Sequence, residues 1–468
     1  MPCIYGPYPA GQLRNLSDKR ERIDSETPGP RPGERFTADV SDLTAEGAGV
    51  ARHGGLVVFV PGAVPGDLVR ARIVRLRRGW GDGELLAVER PADARRMAPC
   101  AAQDECGGCP LMVLDEAAAL AVKGRALAET LRRVGGVACG VAEIAPSPRP
   151  LRYRGRVRFA VAPRGEGAQV GFHPRGQECG FAPVDDCLLA PEGTTALARE
   201  FLERLAAFGP GPWPAQLEVR CSFASGRRLL VVHGPSVPWP HAAAAAGALL
   251  AARPDLAGVV RLVPRRGAPP LEQLLGGAEA VLETIGGAEV ELGATSFLQV
   301  NPAAAELLYA RARTALEGPK GGRLLDLYCG VGLIGLLAVD ADVEVVGVEL
   351  NEAAAERAAR AARRAGRTNA RHVAADAVAF AREAAERGER FERVALNPPR
   401  EGAGPGLAAA VAALRPDVVA VVSCHPAALA RDLKLFAARG YRTTRVVAVD
   451  MFPQTPHLEA VARLEREG

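Results

Sequence analysis

No stretch of this chain reaches 18 consecutive apolar residues, so a membrane-spanning helix is not expected. The Ala-rich run at 242–252 is too short and too weakly apolar to be one. The first 35 residues, rich in Pro, Gly and charge, lack the continuous apolar segment of a secretory signal. Ten cysteines in 468 residues make no dense disulfide framework. In a reducing compartment, clustered cysteines then read as ligands of a metal or cluster, and isolated ones as core or catalytic residues. A formal net charge of only +4 means that any case for nucleic-acid binding must rest on where the arginines sit. What remains is a soluble, cytoplasmic, monomeric protein, long enough for two to four domains.

From Glu34 to Pro91 the sequence reads as short strands (RFTADVSDL, GLVVFV, DLVRARIVRL, GELLAVERP) separated by Gly and Pro turns, a pattern that suggests a small β-barrel. Arg70, Arg72, Arg75, Arg77 and Arg78 crowd its third strand and exit. They form either a solvated face or an RNA contact. Residues 111–134 have helical spacing, and 151–293 read as mixed α+β. Within that region Arg152, Arg154, Arg156 and Arg158 alternate with Tyr153, Gly155, Val157 and Phe159. Period 2 would place four guanidiniums on one face of a strand, where RNA phosphate would relieve their repulsion. After Asn301-Pro302, a capped helix start, strands at Arg323–Leu327, Val343–Val348, Arg393–Leu396, Val418–Val422 and Arg442–Val449 alternate with helices. This alternation predicts a mostly parallel α/β sheet with ligands beyond the carboxyl ends of its strands.

Four features could carry chemistry. The turn LDLYCGVGLIG (325–335) has D-x-x-x-G-x-G spacing, with Gly330 and Gly332 allowing close approach of a ligand. With Glu349 ending the next strand as a ribose acceptor, it suits a nucleoside cofactor without a pyrophosphate. Asn397-Pro398-Pro399-Arg400 leaves another strand, and its two prolines remove two amide donors. Cys424, in VVSCHP, follows an apolar strand directly and is placed as a nucleophile or as a small buried hydrophobe. Glu459 interrupts an apolar strand, where a carboxylate is costly unless it is partnered or used, which makes it a candidate general base. Separately, Cys100, Cys106 and Cys109 in CAAQDECGGCP, with Cys187 or Cys179 as the fourth thiolate, suit an iron-sulfur cluster or zinc. Cys3, Cys139, Cys221 and Cys329 read as structural.

These motifs together resemble the RNA (uracil-5-)-methyltransferases, specifically the type that carries a TRAM domain and an iron-sulfur cluster and modifies 23S ribosomal RNA. GAGVARHGGLVVFVPGAVPGD is similar to a TRAM domain, and CAAQDECGGCPL with the later DDCLLAP resembles the family's 4Fe-4S site, which favours Cys187 over Cys179. SFLQVN, LDLYCGVG, NPPR, SCHP and FPQTPHLEAV match its catalytic motifs in order. The resemblance implies a multidomain chain. Its parts would be a flexible 1–33, an OB-like TRAM barrel at 34–91 and a central α+β iron-sulfur and RNA-binding domain (92–110 and 146–290). A Rossmann-like class I methyltransferase domain (111–145 and 291–468) would complete it. It further implies that Gln299, Tyr328, Leu333, Glu349, Asp376 and Asn397 line an S-adenosylmethionine site, that Cys424 is the nucleophile and that Glu459 is the base. The family usually has Asp where this chain has Asn397 and Asn where it has His425, and Leu333 is less polar than the usual residue. Other readings are a transfer-RNA uridine or RNA cytosine-5 methyltransferase, and, because of Asn397, an RNA-binding assembly factor with a vestigial enzyme fold.

Overall fold

The computed structural model describes residues 29–176, 180–209, 211–318 and 320–467. The expected flexible N-terminus (in large part), Cys3 and Cys179 lie outside the described residues. Strands Arg35–Leu43, Ala48–His53, Leu56–Pro61, Leu68–Arg77 and Trp80–Arg90 close into a barrel. The fourth strand shows why: Val69, Ala71 and Ile73 point into the barrel core, while Arg70, Arg72 and Arg75 alternate outward. These arginines are not a bare cationic face, because Arg70 pairs with Glu89 at 2.9 Å, Arg75 with Asp82 at 2.7 Å, and Arg72 with Glu84.

The central region is a seven-stranded sheet, one face of which is covered by helices Thr194–Ala206 and Pro240–Ala252. The four-arginine strand of the sequence reading does not form as expected. The strand begins only at Arg156. Arg152 takes a left-handed conformation (φ 56°) and donates to Asp186 at 2.9 Å, while Arg158 donates to Glu218 at 2.8 Å. Arg154 lies beside Cys109 and Cys187, and Arg156 stands over the Phe297 ring, 6.0 Å from its centroid. Sequence alternation could not foresee the turn that Arg152 makes before the strand, nor the acids that neutralise two of the four charges.

The third region is an eight-stranded sheet. Its spatial order is Ala370–Ala374, Glu344–Glu349, Arg323–Leu327, Arg393–Leu396, Val418–Ser423, Glu459–Arg466, Tyr441–Val449 and Val141–Ala145. The first five run parallel. Val418–Ser423 is buried on both faces, as expected of a parallel strand covered by helices on either side. The order reverses at Arg323–Leu327, opening a crevice at the carboxyl ends. Glu459–Arg466 runs antiparallel, with Ala460 opposite Ser423, so Glu459 starts at the same end where Cys424 leaves. The helix Glu116–Thr130 and the strand Val141–Ala145, which precede the central sheet in the chain, pack with this third sheet. One core continues from Leu229, Val231 and Val260 of the central sheet to Leu308, Leu324 and Val345 of the third. Among the described residues no helix is long and apolar enough to cross a membrane.

Candidate active site

The turn after Leu327 needs three unusual conformations at alternate positions. Tyr328 (φ 60°), Gly330 (φ 55°) and Gly332 (φ 83°) are all left-handed, and at Gly332 a Cβ would approach the His372 ring to 3.0 Å. Glu349, ending the neighbouring strand, holds this turn: its Oε2 accepts from the Gly330 amide at 3.1 Å and its Oε1 from Asn351 at 3.0 Å. Each oxygen keeps lone pairs for further donors, as two ribose hydroxyls require. Beneath the turn Asp326 is 1% exposed, accepts from the Gly335 amide at 3.2 Å and is pushed up to about 7 by burial.

Tyr328 is partly buried, and its phenol is raised first by burial and then by the negative charges of Asp376, Asp432 and Glu349, which places its ring among these acids. Asp376 caps the helix Ala377–Glu386 through Ala379 N at 2.9 Å. The Asn397 backbone N–H donates to Leu327 O at 3.3 Å, tying the NPPR turn to the strand that precedes the glycine turn. Leu333 begins the short helix after the turn, and its side chain is 2% exposed and packs in the core.

Cys424 and Glu459 occupy the adjacent strand ends. Glu459 is 4% exposed, its Oε2 has no hydrogen-bond partner, and burial pushes its carboxyl up to about 8 against the Gln299 amide and the more distant Arg400. The Cys424 thiol is half-buried. Burial and the charge of Glu459 raise it, while Arg400 opposes the rise both by charge and by hydrogen bonding. Arg400 is thus a candidate site residue to which the sequence gave no role of its own, although its place directly after the two prolines of NPPR was the available signal. His425 caps the helix Pro426–Ala437, its Nδ1 accepting from the Ala428 amide at 3.2 Å, and burial, Arg400 and Arg431 lower its pKa. A neutral imidazole therefore does what an Asn carbonyl oxygen does at an N-cap. Asp432 in that helix accepts from Ala403 at 2.8 Å and Gly404 at 3.1 Å, fixing the loop that follows Arg400.

Cys100, Cys106, Cys109 and Cys187 converge in a second place. Each of the last three thiols is raised by burial and then by the charge of other members of the four. Among the described residues no three His, Cys, Asp or Glu side chains are grouped as they would be around a single ion. Yet the Arg175 Nε and Nη2 atoms are buried without a partner beside Cys106, and Arg154 faces Cys109 and Cys187. The four thiols therefore lie near one another and near two cationic side chains, without being gathered around one point.

Comparison with known proteins agrees with this arrangement. Residues 31–86 match the TRAM domain, and residues 288–467 match the family described as tRNA (Uracil-5-)-methyltransferase. An uncharacterized RNA methyltransferase of Halalkalibacterium halodurans is 31% identical over 439 residues, covering 91% of this chain and 96% of the relative. One of Gloeobacter violaceus is 32% identical over 450 residues, covering 93% and 97%. The fold is similar to that of the Pyrococcus abyssi tRNA (uracil-54, C5)-methyltransferase solved with S-adenosyl-L-homocysteine, with a TM-score of 0.70, 24% identity, and coverage of 92% of this chain and 100% of that one. A TRAM barrel, a parallel sheet with its crevice beyond Glu349, and near full-length likeness to named RNA methyltransferases have one common reading: the chain belongs to the S-adenosylmethionine-dependent RNA (uracil-5-)-methyltransferase family.

Proposed function

We propose that this enzyme methylates carbon 5 of a uridine in 23S ribosomal RNA through a covalent adduct on Cys424. The observation that carries the reading is the convergence of a half-buried thiol, a buried carboxyl with one unpartnered oxygen and a guanidinium at one end of one sheet, beside the Glu349 crevice. Carbon 5 of uracil is a weak nucleophile. Addition of the Cys424 thiolate to carbon 6 moves an electron pair into the ring and makes carbon 5 enolate-like. S-adenosylmethionine, the second substrate, supplies the methyl cation equivalent and leaves as S-adenosylhomocysteine. Glu459 then takes the remaining proton from carbon 5, the carbon 5–carbon 6 double bond re-forms, and Cys424 departs as thiolate. Arg400 stabilises that thiolate on attack and on departure.

Gln299, Tyr328, Glu349, Asp376, Asn397 and the backbone at Leu333 would hold the cofactor, with the Asn397 amide also able to meet the carbon 4 oxygen and N3–H of uracil. Because a stacked base cannot be attacked, the uridine is read from a loop or flipped out. Cys100, Cys106, Cys109 and Cys187 would hold a 4Fe-4S cluster in a structural role within a central domain of 92–110 and 146–290, the methyltransferase domain comprising 111–145 and 291–468. Anaerobic purification with iron and sulfide analysis tests the cluster; one zinc per chain would replace it.

The enzymatic test is incubation with unmodified ribosomal RNA and labelled S-adenosylmethionine. Label on carbon 5 is expected, and its absence, or full activity in Cys424→Ala, overturns the reading. The matched family description and the Pyrococcus abyssi protein both concern transfer RNA, so label confined to transfer RNA would move the substrate there.

A further inference from the structure

The chain from Asp450 to Leu458 leads directly into Glu459, and it is held by residues drawn from widely separated parts of the sequence. Lys123 donates to Asp450 Oδ1 at 2.7 Å and to Phe452 O at 3.0 Å. Asn301 donates to Met451 O at 3.2 Å, and the Leu111 amide to Gln454 O at 3.0 Å. The Gln454 side chain donates to Pro150 O at 3.2 Å and accepts from Arg96 at 3.3 Å, with its own backbone left-handed (φ 68°). From the barrel, Gly47 (φ 83°) lies against Pro456 and Pro110.

One of these anchors reaches the loop from inside a separate core. Tyr153 is wholly buried with Met112 and Leu189 against Cys109 and Cys187, and its hydroxyl donates to Pro453 O at 3.0 Å. The Glu459 carboxyl has the Gln299 side chain as its hydrogen-bond partner, while Oε2 has none. Its backbone enters the strand opposite Val449 directly from this loop, so the loop sets the position from which the side chain starts. Cys424 is fixed otherwise, by the buried strand Val418–Ser423 and the helix capped by His425.

We infer that Tyr153 is a positioning residue for the catalytic base, the strut by which the segment bearing the four thiols sets where Glu459 points. Removing its hydroxyl leaves addition by Cys424 and methyl transfer intact and slows only abstraction of the carbon 5 proton. The methylated RNA then stays bonded to Cys424. This rests on the adduct mechanism proposed above.

The experiment compares Tyr153→Phe with Glu459→Gln and the unaltered enzyme on a uridine-containing RNA substrate. Loss of one buried hydrogen bond is expected to lower kcat about tenfold. KM for RNA and for S-adenosylmethionine should hold, and an SDS-stable protein–RNA adduct should accumulate. Amide hydrogen exchange should rise across 450–458 while 418–437 stays protected. Trapping of adduct by Glu459→Gln but not by Tyr153→Phe overturns the strut and leaves the mechanism standing; trapping by neither overturns both. Unchanged exchange at 450–458 in Tyr153→Phe also overturns the strut, whatever the kinetics.

Discussion

The barrel and the candidate catalytic end of the third sheet treat charge in opposite ways. On the barrel, Arg70, Arg72 and Arg75 each meet an acid of the neighbouring strand, at positions that remain substantially exposed to solvent. At the strand ends of the third sheet, Glu459 is buried with an oxygen lacking a partner, and Asp326 lies wholly inside with one oxygen likewise unmatched. Exposed, paired charges are close to neutral for stability. Buried, unmatched ones are costly, and a fold keeps them where the chemistry uses them.

That contrast can be broken or sharpened at five places. Cys424→Ala should reduce methylation to background and abolish the SDS-stable adduct, because Cys424 is the thiol whose charge environment includes Glu459; a radiolabel assay with gel analysis reads both. Glu459→Gln should cost roughly 10²- to 10⁴-fold in turnover, the usual range for a lost general base. The same substitution sharpens the contrast by pH. A carboxyl raised from 4.5 to about 8 in the folded state is protonated there while the unfolded chain ionises, so stability is lost as pH climbs through that window. Glu459→Gln should therefore melt higher than the parent, by more at pH 8 than at pH 5, and the parent's kcat/KM should rise with pH towards a plateau above about 8. Equal melting shifts at both pH values would contradict the buried, uncompensated carboxyl.

Glu349→Ala should raise the Kd for S-adenosylmethionine by about 10- to 100-fold, the worth of hydrogen bonds to a charged acceptor, measured by calorimetry. His425→Ala should cost about 1 kcal/mol of stability through loss of the helix cap, while His425→Asn holds it, as thermal unfolding will show. Arg72→Ala is expected to change stability by under about 1 kcal/mol. Its RNA affinity should shift less than twofold at physiological salt. A large, salt-dependent loss of affinity there would erase the distinction between the two regions.

Much of the catalytic end was legible beforehand because it is written in local patterns. The strands at Arg323–Leu327 and Arg393–Leu396 were read with the bounds they have, since apolar runs bounded by Gly, Pro and Asn signal a buried parallel strand. Ala370–Ala374 was not read, because ARHVA at the sheet edge is half-exposed and lacks that apolar run. The arginine series at 152–158 misled for a related reason. Alternation describes a strand only where the backbone is extended, and Arg152 is not.

The sequence by itself determined the N-terminal barrel, the C-terminal parallel sheet and which residues were candidates for chemistry, because turn residues, period-2 burial and motif spacing are short-range properties of the chain. Only the tertiary structure decided which charges are spent on one another, that Leu333 packs in the core, that Arg400 lies near Cys424, and that Tyr153 bonds to the loop before Glu459. Those contacts join residues up to 300 positions apart. Burial, which sets whether a carboxyl or a thiol titrates usefully, is a property of what packs around a group and is written nowhere in its neighbours along the chain.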